Sequence, residues 1–200
     1  YADKEEEEVL EVGSIIAAVG FQLWDAGYAT EYGYGRYDNV VTSMEYERMM
    51  CASGPDHGHI KCPSNGEAPQ KIAFIQCCGS RSEKKNWKKY CSSVCCMYAT
   101  KQAIITKEHA QVQEDIFFMD IRSYGKEFEA YIKRAQGQYG IIMHRGARVS
   151  NIEEDPESKK LTVNYTDKDG NGTSAEYDLV VLSIGLNPPE GAEELAKVLG

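Results

Sequence analysis

The chain has 200 residues, 42% of them hydrophobic and 26% charged, with a formal net charge of −9, which allows one substantial core. That acidic balance excludes a general nucleic-acid binder, because phosphate neutralisation needs a basic face. No run approaches the roughly eighteen apolar residues of a membrane span, and no basic n-region or apolar h-region precedes Glu5–Glu8; a soluble, cytoplasmic protein is expected.

In chain order, Val12–Val19 is a short apolar run ending at Gly20, the pattern of a strand buried on both faces. A loop rich in Gly and Tyr follows, including Tyr32-Gly-Tyr-Gly-Arg-Tyr37. Thr42 with Glu45 spells a capping box for a short helix through about Cys51. Ser53-Gly-Pro-Asp-His-Gly and Pro63-Ser-Asn-Gly then form a long irregular connection, a boundary signal. From Lys71 the grammar changes: a strand at Ile72–Ile75, a cysteine-bearing loop, a helix from Ser92 or Ser93 to His109, a strand at Asp115–Ile121, a helix at Lys126–Gln136 and a strand at Tyr139–His144. That alternation predicts a Rossmann-like α/β domain with a parallel sheet and right-handed crossovers. Strands are then expected at Arg148–Ile152, Leu161–Tyr165 and Glu176–Ser183, the last two joined by the turn Asp169-Gly-Asn-Gly172. Asp178–Gly185 echoes Val12–Gly20, so both read as strands of a host domain flanking an insert. The expected organisation is a host segment and connection over residues 1–69, an inserted domain over 70–150, and strands returning to the host over 151–200.

Five of the seven cysteines fall in the run Cys77-Cys78-x12-Cys91-x3-Cys95-Cys96. Thiolates that close repel unless a cation binds them, and iron and zinc are the usual answers. Cys77 and Cys78 follow a strand and Cys95 and Cys96 open a helix, so the helix N-terminus and the loop cations Arg81, Lys84, Lys85, Lys88 and Lys89 are expected to depress the thiol pKa values. Three chemistries remain open on spacing: an iron–sulfur cluster, a structural zinc and a dithiol redox pair. Buried inert cysteines are the bland alternative. A dinucleotide site is disfavoured, because of the G-x-G-x-x-G turn only Gly79 is present; Asp120 stands where a ribose-binding carboxylate would, and is expected to be a solvated strand-end residue. His57, His59, His109 and His144 are scattered and are expected to be structural; no catalytic acid or base is expected.

At Ile72-Ala-Phe-Ile-Gln-Cys-Cys-Gly-Ser-Arg81 and Tyr90-Cys-Ser-Ser-Val-Cys-Cys-Met-Tyr-Ala99 the chain resembles the A subunit of heterodisulfide reductase. Lys101-Gln102-Ala103, Asp120-Ile-Arg122 with Gly125-Lys126, Ser53-Gly-Pro55, Val12-Gly13 with Gly20-Phe21, and Asp178-Leu-Val-Val-Leu182 with Gly185 extend the resemblance over nearly the whole chain. The resemblance implies an internal piece of an oxidoreductase: a thioredoxin-reductase-like flavoprotein subunit that binds FAD, carries [4Fe-4S] clusters and transfers electrons within a bifurcating complex. It implies cluster ligands at Cys77, Cys91, Cys95 and Cys96, with Cys78 able to substitute for Cys77, and places Gly20 and Gly185 where strands approach the flavin. Cys51 and Cys62 lie outside the motif. The 70–150 domain then corresponds to the pyridine-nucleotide-type domain, flanked by strands of an incomplete FAD domain. Other heterodisulfide reductase-type subunits and iron–sulfur electron carriers are the implied partners, and a homo-oligomer is compatible with it. Two other readings stand beside this one: a zinc-stabilised interaction domain and an NAD(P)H-oxidising domain.

Overall fold

A computed structural model describes residues 4–200; the first three residues of the 1–69 segment lie outside it. The chain divides into two compact units. The larger runs from Leu23 to Leu186, and strands β1 (Gln22–Leu23) and β10 (Leu186–Asn187) stand at its two ends in the sequence.

At its centre is a five-stranded, wholly parallel sheet of β2 (Val40–Thr42), β3 (Lys71–Cys78), β4 (Gln113–Phe118), β5 (Ile142–Arg145) and β9 (Leu179–Ile184), in the order β2-β9-β3-β4-β5. The expected helices are present as α1 (Ser43–Met50), α2 (Cys95–His109) and α3 (Phe128–Gly137). Helix α1 starts at the predicted capping box, in which Thr42 Oγ1 accepts from the Glu45 amide and Glu45 reaches back to the Thr42 amide at 2.7 Å. Strands β6 (Arg148–Glu154), β7 (Leu161–Thr166) and β8 (Gly172–Tyr177) form an antiparallel meander, and the Asp169–Gly172 turn links its last two members.

Burial explains the layers. β3 and β9 are buried along nearly their whole length, as strands covered on both faces must be. One face packs Ile72, Phe74, Ile116, Leu179 and Val181 against Tyr46, Ala99, Ala103 and Ala135 of the helices. The other packs Ala73, Ile75, Phe117, Val180 and Leu182 against Ile152, Leu161, Val163 and Tyr177 of the meander. Each large apolar side chain so buried stabilises by about 1.5–3 kcal/mol.

Two predicted strands behave differently from the reading of the sequence. Val12–Val19 forms no strand: Val12, Ile15, Ile16 and Val19 are exposed, with Ile16 92% accessible, because nothing among the described residues covers them. The Glu176–Ser183 strand divides into β8 and β9, and β9 is hydrogen-bonded between β2 and β3 in the middle of the parallel sheet. The meander is therefore a crossover that delivers β9 to the far side of β3. From β3 the chain proceeds to β4 and β5 on one side and, by way of the meander, to β9 on the other. The crevice beyond the C-terminal ends of β3 and β9 is thus the topological switch point, where open α/β sheets hold ligands.

The smaller unit comprises the chain up to Gln22 together with Asn187–Gly200. Its one helix is α4 (Ala192–Leu199). No helix among the described residues is long and apolar enough to cross a membrane.

Candidate metal centre

The cysteine run lies at this switch point. β3 ends in a register irregularity between Ile75 and Cys78, which inserts backbone into the strand and turns its residues to new faces. Cys77 sits there at φ +62°, a left-handed conformation that a non-glycine residue adopts at a cost. The kink points two neighbouring cysteines in different directions. Cys77 lines a small cavity with Cys91, Cys95 and Cys96, closed by Ser80, Arg81, Ser92, Ser93 and Arg122. Cys78 does not: it is 1% exposed in the core on the meander side, its thiol 3.8 Å from the Ile75 carbonyl.

The loop from Gly79 to Val94 is tied down by backbone and side-chain bonds. Gly79, at φ +80°, has no room for a Cβ because the Trp24 ring lies over it, and its carbonyl accepts from the Lys88 amide at 2.9 Å. Trp24 Nε1 donates to the Asn86 carbonyl at 2.7 Å. Ser80 and Ser92 share a hydroxyl bond at 2.9 Å, and Ser92 Oγ accepts from the Leu186 amide at 2.9 Å. Gly185 donates its amide to the Cys78 carbonyl at 2.7 Å, and a Cβ there would stand 2.5 Å from Ser80 Oγ. Gly185 is therefore glycine because the cysteine loop packs on it. Gly20, at φ +76°, has nothing within 4 Å of where its Cβ would be.

Two of the cavity sulfurs accept backbone hydrogen bonds. The Ser93 amide donates to Cys91 Sγ at 3.3 Å and the Arg122 amide to Cys96 Sγ at 3.3 Å. The Cys95 thiol and the Tyr98 hydroxyl both donate to the Ile184 carbonyl, at 3.7 and 3.0 Å, and Arg81 lines the cavity beside Cys77. These surroundings do not produce the depressed thiol pKa values that the sequence suggests. Burial pushes Cys77 up to about 11 against the pull of Arg81, pushes Cys95 up to about 11 against Tyr98, and raises Cys96 against the Arg122 amide. Desolvation outweighs the nearby positive charge, and two of the loop lysines are paired elsewhere, Lys84 with Glu31 at 2.6 Å and Lys89 with Glu83 at 3.1 Å. Thiols this reluctant to ionise become thiolates when a metal supplies the missing charge.

Asp120 is not a free strand-end carboxylate. It forms ion pairs with Arg81 and, at 3.3 Å, with Arg122 Nε, and its hydrogen bonds from Arg81 foremost hold it below the usual carboxylate range. The outlying cysteines are elsewhere: Cys62 is buried with its thiol 3.6 Å from the Asp178 carbonyl, and Cys51 is half-buried after α1. His144 stacks on Phe117 at 4.4 Å beside Asp115. Among the described residues no three His, Cys, Asp or Glu side chains gather closely enough to hold one metal ion. The role of Asp120 escaped the sequence reading; its signal was the Asp120-Ile-Arg122 spacing, which puts a carboxylate and a cation on one turn.

No protein-family model matches the chain. It is 50% identical over 202 residues to the A subunit of the H2/formate:CoB-CoM heterodisulfide,ferredoxin reductase of Methanococcus maripaludis, a match covering 100% of this chain and 30% of that protein. It is also 50% identical over 202 residues to the iron-sulfur A subunit of the CoB–CoM heterodisulfide reductase of Methanocaldococcus jannaschii, again over 100% of this chain and 30% of that protein. The chain thus spans less than a third of the length of these relatives. Among solved structures, thioredoxin reductase from T. acidophilum superposes with a TM-score of 0.51 at 18% identity, over 86% of this chain and 44% of that one. A 2-naphthoyl-CoA reductase superposes at 0.52 with 14% identity, over 92% of this chain and 21% of that one. These structural likenesses show the fold alone, a Rossmann-like α/β fold with a parallel sheet.

Proposed function

Because the chain belongs to the family of heterodisulfide reductase A subunits, as a stretch equal to about 30% of its relatives' length, we propose that it is the electron-relay part of such an oxidoreductase. Its Cys77, Cys91, Cys95 and Cys96 hold a [4Fe-4S] cluster. The observation that carries this reading is the cavity: those four thiols line it together, while Cys78, Cys51 and Cys62 do not. When bound, the cluster accepts and returns single electrons without making or breaking a bond to substrate.

The residues around it do the rest. The buried thiols of Cys77, Cys95 and Cys96 shield the site from water, the Ser93 and Arg122 amides hold Cys91 and Cys96, and the Ser80–Ser92–Leu186 bonds keep the loop closed. A structural zinc draws four thiolates onto one ion, and no three metal-binding side chains among the described residues gather around a single point. In an iron–sulfur cubane each thiolate takes its own iron. An NAD(P)H site finds less support: the phosphate turn is occupied by Cys77–Arg81 and the ribose-side carboxylate, Asp120, is engaged by two arginines. FAD is proposed for the longer protein. Of the two glycines expected beside it, only Gly20 keeps open space, since Gly185 is filled by Ser80 and Ser92. The electron donors and acceptors are proposed to be iron–sulfur partners and the other subunits of a heterodisulfide reductase-type complex. The larger architecture proposed remains a host segment over 1–69, an inserted domain over 70–150 and a return over 151–200, with β9 shared into the inserted sheet.

Iron and acid-labile sulfide analysis of anaerobically purified protein tests this. Equal iron and sulfide with broad visible absorbance are expected. Cys91→Ser abolishes both and Cys62→Ser keeps both; zinc in place of iron, or equal iron in the two variants, refutes the ligand set.

A further inference from the structure

Cys96 Sγ accepts from the Arg122 amide at 3.3 Å and Arg81 lines the cavity beside Cys77, its positive charge favouring the thiolate; these two arginines converge on one carboxylate. Asp120 receives both ends of the Arg81 guanidinium, NH1 on Oδ1 and NH2 on Oδ2, the latter at 3.3 Å. On the same oxygens it receives Arg122 Nε at 3.3 Å and NH2 at 3.5 Å. Arg81 itself is at φ +57° with its amide bonded to the Tyr90 carbonyl at 3.1 Å, so its backbone is fixed and its long side chain is the part that needs an anchor. The planar guanidinium fork suits such a two-point grip. Resting on the cluster reading above, we propose that Asp120 is a positioning residue for the redox centre: it holds the Arg81 guanidinium beside Cys77 and the Arg122 amide on Cys96, and thereby raises the centre's reduction potential.

The physical reason is that hydrogen bonds and positive charge at ligand sulfurs favour the reduced, more negative state. A carboxylate alone would do the reverse, since its own negative charge disfavours that state. The two roles therefore predict opposite signs. If Asp120 acts by holding donors, its removal lowers the potential even though a negative charge has gone; if it acts only as a charge, its removal raises it.

An EPR-monitored redox titration of the anaerobically purified chain decides between them, with iron content measured in parallel. Asp120→Ala is expected to keep its iron and to lower the reduced-to-oxidised ratio at a fixed ambient potential by about tenfold, equivalent to about 59 mV for a one-electron couple. Arg81→Met is expected to shift in the same direction. A potential that is unchanged or raised in Asp120→Ala overturns the proposal. Should that variant assemble too little cluster to titrate, Asp120→Glu is read instead: it keeps the charge and displaces the grip by one methylene, so a lowered potential supports positioning and an unchanged one refutes it. Wild-type protein that contains no iron would refute the cluster reading itself, a result separate from any shift between variants.

Discussion

Two adjacent cysteines, identical in chemistry, have been given different work by one irregularity in a strand. Cys77, in its left-handed conformation, faces the cavity; Cys78 faces the core and reaches only a backbone carbonyl. The sequence leaves the two interchangeable, because register and bulge position are decided by pairing with β9 more than a hundred residues away. Nor could it reveal the raised thiol pKa values: charge near a motif is visible in sequence, whereas desolvation is a property of the packed molecule. Glu114 shows the same effect more strongly. It is fully buried in β4 facing the helices, with neither carboxyl oxygen hydrogen-bonded, and burial pushes its pKa up to about 9 despite Lys107 nearby. The unfolded chain loses that proton near the ordinary 4.5 while the folded chain keeps it to about 9, so the unfolded state binds fewer protons over that window and stability falls as pH rises through it. Urea midpoints measured at pH 5, 7 and 9 should decline in wild type. The decline should be smaller in Glu114→Gln, which remains neutral throughout; equal slopes would show that Glu114 does not titrate in this way.

Two apolar runs that look alike as sequence have opposite fates as elements. Val12–Val19 and Asp178–Gly185 each offer a short apolar stretch closed by glycine, and local pattern cannot say which one finds neighbours. β9 is enclosed by β2 and β3 at its edges, by helices on one face and by the meander on the other. The earlier run has no such cover among the described residues. Leu182→Ala should therefore cost about 2–5 kcal/mol, and Ile16→Ala should fall within about 0.5 kcal/mol of zero, as read from denaturant unfolding of the same chain. Comparable losses would mean that the run around Ile16 is packed in solution. The elements with strong local signals were legible: the Thr42–Glu45 cap, the helix after the cysteines, the turn before β8. What was not legible was strand adjacency, and with it the membership of β9 in the central sheet.

At the scale of the molecule, these contrasts predict a graded stability. Amides of β3 and β9, bonded on both sides within the larger unit, should be the last to exchange with solvent, and those of residues 4–21 the first, when hydrogen exchange is followed by mass spectrometry. Uniform protection of the two regions would contradict this picture. The position of β9 has one more consequence, and it concerns time. A chain made from its N-terminus presents its last cysteine, Cys96, well before it presents Leu179. Until that strand slots in beside β3, neither the Gly185 amide nor the Ile184 carbonyl is in place, and the cysteine loop lacks one of the surfaces it packs on. All of the thiols are thus made early and housed late, so the nascent chain passes through an interval in which they are bare, and on the proposed cluster reading metal would meet a finished site only after the strand that contains no cysteine has arrived.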